Sequence, residues 1–260
     1  MINQGMILGR SSFVYRINDT NTFVSFDKRK EHKTTRLHTD ISFVNNDVLD
    51  VEAFRNWREE YANAKFILNE DGKYLCGHEV EKMSKSKYNV QTPDNLVEDF
   101  GADTLRLYEM FLGPLEQFKP WDVKGINGVH NFLRKFWRLV HDTENNFSVS
   151  DETPTKDNYK TLHKTIKKVE EEIERYSFNT VVSTFMICIN ELTEQKCSNR
   201  AIVSDFTILL SSYAPHISEE IWQKLGNETS VTKANFPTFN ASYLVENEVN
   251  YPVSFNGKMR

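Results

Sequence analysis

The sequence predicts an α+β fold that is mostly α. Short β-branched and aromatic runs separated by turn residues occupy the first third of the chain, and apolar residues at helical spacing fill the part after residue 126. A lysine-rich polar stretch lies between these two regions. These patterns indicate a small α+β insert, then a loop segment with helices, then an antiparallel helical bundle.

The α+β region is predicted from four local patterns. Two apolar runs on either side of Asn18-Asp19-Thr20-Asn21 indicate a hairpin, and alternating apolar residues indicate a further strand. Helical spacing of aromatic residues then predicts a helix, and a final pair of apolar runs flanks a glycine-containing turn. The segments are, in order, Phe13–Ile17 with Thr22–Phe26, residues 37–43, residues 54–61, and residues 66–75 around the turn at 69–72.

The stretch Lys82-Met83-Ser84-Lys85-Ser86 is predicted to be an exposed loop, because burying an unpaired ammonium group is very costly. A lysine ammonium is a compact charge on a flexible stem, which suits it to phosphate oxygens whose charge changes during a reaction. The serine hydroxyls and exposed backbone N–H groups would supply further donors. The plain alternative is a solvated basic surface loop.

The helical region begins at Thr92-Pro93, where threonine predicts a cap and proline the first helical position. Leu96, Val97 and Phe100 are predicted to form the buried side of this helix, and a second helix is predicted between Gly101 and Gly113-Pro114. Five apolar stripes follow, and their aromatic residues are predicted to be core. The stripes are Val129–Val140, Tyr159–Ile173, Phe178–Leu192, Ile202–Tyr213 and Ile217–Leu225.

Composition restricts the class of protein. With 39% hydrophobic and 27% charged residues in 260, the chain is predicted to be globular and cytoplasmic, since it has neither a bilayer-length apolar run nor a signal peptide. The net charge of −5 argues against indiscriminate nucleic-acid binding but leaves local basic patches possible. The three cysteines show no Cys-x-x-Cys spacing, so we predict neither a disulfide framework nor a metal site, and Cys188 is predicted to be a core residue.

The order Lys-Met-Ser-Lys-Ser resembles the signature loop of the class I aminoacyl-tRNA synthetases. The resemblance implies that the loop closes over the triphosphate of ATP, bound with Mg²⁺ as substrate, while an amino-acid carboxylate attacks the α-phosphorus. It implies that Lys85 is the main catalytic residue, assisted by Lys82. The implied nucleotide-binding set is Lys82, Met83, Ser84, Lys85 and Ser86.

Within that class the chain most resembles the leucyl-tRNA synthetase family. Gln4-Gly5-Met6, the insert and the tail Asn256-Gly257-Lys258-Met259-Arg260 favour it over the isoleucyl and valyl types, which remain an alternative. The resemblance implies leucine, ATP and tRNA(Leu) as partners and a monomer. It divides the chain into the end of the nucleotide-binding fold (1–9), a leucine-specific-like insert (10–78), the signature loop with connecting helices (79–125), an anticodon-binding-type bundle (126–236), and a linker with the start of a C-terminal domain (237–260).

Two basic groups are candidate contacts for tRNA phosphate. One group lies in the insert. Its charges are explained equally well by a solvated strand edge that they keep from aggregating. The other lies on the first helix of the bundle, where the apolar stripe fixes the direction of the charges. The groups are Lys28, Arg29, Lys30, Lys33 and Arg36 in the insert, and Arg134, Lys135 and Arg138 on the helix.

The sequence departs from the family in two respects. Tyr88 follows the signature loop where glycine is common, and no His-x-Gly-His motif, which stacks on adenine in the family, occurs in the chain. The editing domain and the leucine pocket are absent as well. We therefore expect these residues to come from an ATP-dependent ligase but to be inactive alone. The rival hypothesis is a non-catalytic tRNA-binding module derived from a synthetase.

Overall fold

The computed structural model describes residues 5–122, 125–245, 254–255 and 258–259. The chain forms two compact units, the first comprising Met1–Asn95 with Glu116–Val123 and the second Leu96–Leu115 with Lys124–Arg260. The strands are β1 (Ile7–Ile17), β2 (Thr22–Val24), β3 (Thr34–Thr39), β4 (Val44–Asn45), β5 (Val48–Leu49), β6 (Lys65–Ile67), β7 (Gly77–Lys82), β8 (Lys119–Pro120), β9 (Ser254–Phe255) and β10 (Lys258–Met259). The helices are α1 (Val51–Trp57), α2 (Pro93–Phe100), α3 (Ala102–Phe111), α4 (Ile126–Leu139), α5 (Lys156–Glu174), α6 (Phe178–Glu194), α7 (Arg200–Leu210) and α8 (Pro215–Lys224).

The long strand β1 organises the first unit. It pairs antiparallel with β2, β3 and β7 and parallel with β8, while β6 joins the sheet through β2. The predicted hairpin is confirmed, since Tyr15 lies opposite Val24 in the β1–β2 register. Side chains of β1 alternate between two cores: Phe13 and Tyr15 pack with Val24, while Val14 packs with Phe23 and the aromatic side chains of α1.

Two predictions for the insert need correction. The alternating segment 37–43 is not one strand, because β3 ends at Thr39 and Asp40 then accepts a hydrogen bond from the Ser42 amide, which starts a 3-10 turn. The helix predicted over 54–61 is interrupted at Arg58, whose φ of −145° is extended, and a second 3-10 turn follows at Glu59–Tyr61. Side-chain spacing in both segments matched a regular element, but local backbone bonds ended that element early.

The second unit is a helical bundle, as the apolar stripes predict. Helix α6 packs on α3, α4 and α5, and α7 packs on α5 and α8. The rings of Phe136 and Phe185 both meet the ring of Phe206 edge-on, with centroids 4.9 and 5.7 Å apart. All three phenylalanines are fully buried, and Cys188 is a core residue as predicted.

Helix α2 begins at Pro93 as predicted, but its predicted buried side is wrong. No residue of this helix is buried, and Val97 is 39% exposed. Leu96 and Phe100 are half-buried, and the ring of Phe100 lies 5.7 Å from that of His130. Apolar spacing shows which side of a helix a neighbour would cover, and it does not establish how completely that side is covered.

Asp103 performs a structural role in the bundle. Helix α8 starts after Ala214, which has no capping side chain, and the buried carboxylate of Asp103 accepts hydrogen bonds from the amides of His216 (3.3 Å) and Ile217 (2.7 Å). It also lies 2.8 Å from Nδ1 of His216. A side chain from α3 thus satisfies helix-terminal N–H groups that the local sequence leaves open.

At the end of the chain, β9 and β10 pair antiparallel, with Phe255 opposite Lys258. The predicted turn at Asn256-Gly257 lies outside the described residues. No helix in the described ranges is long and apolar enough to cross a membrane. The division of the chain into five segments stays a prediction.

Candidate functional site

The predicted loop lies in the first unit and begins one residue later than predicted, because Lys82 is the last residue of β7. Ser84 caps a 3-10 turn at Lys85–Lys87: its Oγ accepts a hydrogen bond from the Ser86 amide at 3.2 Å and lies 2.6 Å from Oγ of Ser86. Tyr88 ends the turn in the left-handed region, with φ 51° and ψ 32°. The two serines therefore bond to each other and shape the turn.

Asn89 closes the base of the loop. Its side-chain oxygen accepts a hydrogen bond from the Ser84 amide at 2.8 Å, and its side-chain nitrogen donates to the Lys82 carbonyl at 3.2 Å and to Oγ of Ser11 at 2.9 Å. Asn89 is 1% exposed. One buried amide thus ties both ends of the loop to each other and to β1.

Gly9 of β1 makes room for this arrangement. A Cβ at this position would lie 2.8 Å from the Asn89 carbonyl oxygen and 2.8 Å from Cγ of Met83. Both distances are shorter than carbon contacts allow, so glycine permits the close approach of the loop base to the strand. Met83, half-buried, is the apolar side chain that the loop places against β1.

The lysines of the loop differ in their partners. Lys82 and Lys85 are exposed, and neither has an ion-pair partner within residues 5–122 or 125–245. Lys87 donates instead to Oε1 of Glu81 at 2.8 Å. The loop therefore presents two uncompensated positive charges, at the two lysine positions of the predicted motif.

Glu81 neutralises the third lysine. The hydrogen bond from Lys87 lowers the pKa of this carboxyl to about 2, with further hydrogen bonds from Ser11 and from His38, whose Nε2 is 2.9 Å away. The carboxylate therefore stays charged at neutral pH. Its contact with Lys87 draws that ammonium group toward β7.

The structure brings the five predicted loop residues together and adds three that the sequence analysis missed. These are Gly9, Glu81 and Asn89. Their roles depend on contacts between residues that are distant along the chain, such as the hydrogen bond from Asn89 to Ser11. A single sequence does not show which distant residues are in contact. Only Glu81, the one acid adjoining the lysine-rich stretch, offered a local clue.

The other basic residues, which are candidates for contact with tRNA phosphate, differ in whether they already have a partner in the protein. In the insert, the guanidinium of Arg29 lies 3.7 Å from the centroid of the Phe26 ring, and Arg36 pairs with Glu79 at 2.5 Å. On α4, Lys135 donates to Oδ1 of Asn190 at 2.6 Å. The side chains that remain exposed are Lys30, Lys33, Arg134 and Arg138.

The loop can bind an anion with several negatively charged oxygens. Two free ammonium groups supply charge, and exposed Ser86 supplies a hydroxyl. Among the described residues the Ser86 hydroxyl is hydrogen-bonded to Ser84 and not to a general base, so this arrangement does not activate it as a covalent nucleophile. In the described ranges, no group of three or more His, Cys, Asp or Glu residues is placed to hold a metal ion.

Comparison with known proteins gives consistent similarities. Residues 156–260 match the family model described as the anticodon-binding domain of tRNA ligase. The whole chain is 60% identical to leucine–tRNA ligase of Cytophaga hutchinsonii, of which it covers 28%, and 61% identical to that of Christiangramia forsetii, of which it covers 27%. The chain thus spans little more than a quarter of the length of these relatives.

A solved structure is similar as well. It is the crystal structure of a ternary complex of LeuRS, tRNA and LeuAMS from Agrobacterium radiobacter K84. The match has a TM-score of 0.56 and 29% sequence identity, and it covers 69% of this chain and 25% of the other.

Proposed function

We propose that this chain, as a member of the leucine–tRNA ligase family, supplies the phosphate-binding loop for activation of leucine by ATP and a helical unit that binds tRNA(Leu). The observation that supports the first part is that Lys82 and Lys85 are exposed and form no ion pair with any residue that the structure describes. Similarity to leucine–tRNA ligases over the full chain supports the choice of reaction.

In this reaction the carboxylate of leucine attacks the α-phosphorus of ATP, which enters with Mg²⁺ as substrate. A bond forms between carboxylate oxygen and phosphorus, and the bond from that phosphorus to the bridging oxygen of the β-phosphate breaks. The products are leucyl-adenylate and pyrophosphate, and the leucyl group is then transferred to a hydroxyl of tRNA with release of AMP. Negative charge builds up on the departing pyrophosphate.

Lys85 is the main catalytic residue of the proposal and Lys82 assists it. Their ammonium groups meet the charge on the β- and γ-phosphates, and the loop closes with them. Met83, Ser84 and Ser86 complete the nucleotide-binding set. Of these, Ser86 donates from an exposed position, while Met83 and Ser84 hold the loop against β1 and around its turn.

The proposed tRNA contact uses the second unit. The family model for anticodon-binding domains covers α5 to the end of the chain, and exposed Arg134 and Arg138 lie on α4 beside an apolar stripe that fixes their direction. The contact is to phosphate oxygens, so it should weaken with salt. Leucine, ATP and tRNA(Leu) are thus the partners of the proposal, with a cytoplasmic monomer as the working unit.

The test is Lys85→Ala in a full-length ligase that contains this segment. We expect leucine-dependent exchange of pyrophosphate into ATP to fall by about 100- to 1000-fold, the usual cost of removing one group that stabilises transition-state charge. Binding of tRNA(Leu), measured by filter retention, should change less than about threefold, because one exposed lysine is a small share of a phosphate interface. Lys167→Ala on α5, whose lysine lies 3.9 Å from Glu171, is the matched control.

A rival function is a tRNA-binding module without catalysis, which the family model on residues 156–260 also fits. It requires no role for Lys85, so exchange unchanged by Lys85→Ala would favour it. We expect the isolated 260 residues to bind tRNA without exchange activity. Exchange by the isolated chain would contradict that expectation.

A further inference from the structure

We propose that Tyr88 is a positioning residue for the lysine-bearing loop, and that Trp57 and Arg58 of the insert hold it in place. The proposal rests on the proposed function, since it concerns where Lys85 is presented to ATP. Tyr88 directly follows the 3-10 turn Lys85–Lys87 and caps its end.

The backbone at Tyr88 is in an unfavourable region for tyrosine. With φ 51° its Cβ crowds the neighbouring carbonyl, which is why glycine is the usual residue in this conformation. A non-glycine residue in this conformation carries an energetic cost. The contacts of the Tyr88 side chain offset that cost.

Those contacts come from the end of α1. The ring of Tyr88 meets the ring of Trp57 edge-on, with centroids 4.7 Å apart and planes at 90°. Arg58 donates from Nη2 to the Tyr88 hydroxyl at 2.5 Å, and its guanidinium lies 4.3 Å from the centroid of the Trp57 ring. The side chain is thus bound by both its ring and its hydroxyl.

The backbone of Tyr88 is bound as well. Its carbonyl accepts a hydrogen bond from the Ile41 amide at 3.1 Å, and its amide donates to the Lys85 carbonyl at 3.3 Å. The first bond reaches the insert and the second reaches the catalytic lysine of the proposed function. Tyr88 therefore connects the insert to the turn that carries Lys85.

This connection gives the insert a role in catalysis without contact to substrate. Displacing Lys85 by about 1 Å is enough to cost up to about 100-fold in rate, because stabilisation of developing charge depends on position. Asn89 fixes the base of the loop, whereas Tyr88 fixes the turn itself. Arg58, which makes the contact to the loop, is the extended residue at which helix α1 ends.

The main test is Tyr88→Gly in a full-length ligase. Glycine accepts the left-handed backbone and lacks the ring, so this variant removes the contacts and leaves the turn unstrained. We expect kcat for leucine-dependent pyrophosphate exchange to fall about 10- to 100-fold, with KM for leucine unchanged. Tryptic cleavage after Lys85 and Lys87 in native protein should accelerate at least fivefold.

The hydrogen bond is tested separately with Tyr88→Phe, Arg58→Gln and the double variant. Both single changes remove the same bond, so the double variant should lose no more kcat than the more impaired single variant. Additive losses would overturn a shared role. Phenylalanine keeps the ring contact with Trp57, so Tyr88→Phe should retain more activity than Tyr88→Gly.

Tyr176→Gly is the matched control. Tyr176 is also left-handed, with φ 58°, and 51% exposed, but it lies in the helical unit with its ring near Phe178. Its replacement should leave exchange and loop cleavage unchanged. Wild-type kcat and cleavage in Tyr88→Gly would overturn the proposal, as would an equal loss in Tyr176→Gly.

Lys85→Ala, assayed in parallel, separates the two proposals. Loss of exchange in Lys85→Ala with none in Tyr88→Gly defeats the positioning role and leaves the proposed function intact. Full exchange in Lys85→Ala defeats the proposed function and the positioning role with it.

Discussion

The loop after β7 and helix α5 are both rich in lysine, yet the structure uses the charges in opposite ways. On α5, Lys164 lies 3.7 Å from Glu191, Lys167 lies 3.9 Å from Glu171, and Lys168 lies 2.6 Å from Glu172. In the loop, only Lys87 has an acidic partner among the described residues. Three lysines of helix α5 thus lie within 4 Å of a carboxylate, whereas Lys82 and Lys85 of the loop have no acidic partner among the described residues.

A count of lysines therefore does not identify a binding site. A carboxylate beside an ammonium group offsets part of its charge, and the stability gained from such a pair depends on how buried the pair is. Removing one lysine of each kind and measuring the stability of the fold tests this contrast.

The largest effect on stability is expected for Lys168→Ala. Glu172 is 8% exposed, and its hydrogen bond from Lys168 lowers the pKa of the carboxyl, so the variant leaves a buried carboxylate without its main partner. We expect a loss of about 1–3 kcal/mol, the usual cost of an unsatisfied buried group. Hydrogen exchange of α5 peptides at neutral pH measures it.

Lys164→Ala is the control for that measurement. Lys164 is 64% exposed and its distance to Glu191 is longer, so its removal should cost no more than about 0.5 kcal/mol. Equal losses in the two variants would show that burial of the acidic partner does not matter here.

A smaller, pH-dependent effect is expected for Lys87→Ala. The pKa of Glu81 is lowered in the folded chain to about 2 from an ordinary value of 4.5. The carboxylate therefore stabilises the fold above pH 4.5, and that contribution is lost as the pH falls toward 2. Without Lys87 the pKa of Glu81 should rise. The decrease in folding stability between pH 4.5 and pH 2 should then be smaller than in the wild type.

Hydrogen exchange or urea unfolding of the first unit between pH 6 and pH 3 is the measurement. The neutral-pH loss for Lys87→Ala should be about 1 kcal/mol, since His38 and Ser11 still bond the carboxylate. An unchanged pH profile would show that Lys87 does not set the pKa of Glu81.

The smallest effect on stability is expected for Lys82→Ala and Lys85→Ala. Both side chains are exposed and unpaired among the described residues, so each change should stay within about 0.5 kcal/mol of wild type. Thermal unfolding gives the measurement. A loss above about 1 kcal/mol in either variant would mean that the lysine has a structural partner, and it would remove the contrast with α5.

The candidate loop could be predicted because its chemistry is local. Its five residues are contiguous, and the cost of burying Lys82 or Lys85 alone argues for exposure without any structure. The bundle could be predicted for a similar reason, since each stripe repeats along one helix. The early ends of β3 and α1 could not, because they coincide with a side-chain hydrogen bond at Asp40 and an extended backbone at Arg58, which apolar spacing does not show.

The class of fold, the apolar stripes of the bundle and the lysine motif follow from the sequence alone, because each depends on residues close together in the chain. The folded structure was needed to show which described lysines have no acidic partner, that Asn89 and Gly9 close the base of the loop, and that Tyr88 is bound by Trp57 and Arg58. Those outcomes depend on distances between residues some 30 to 80 positions apart, such as Asn89 and Ser11. Folding sets such distances, and the order of residues along the chain does not display them.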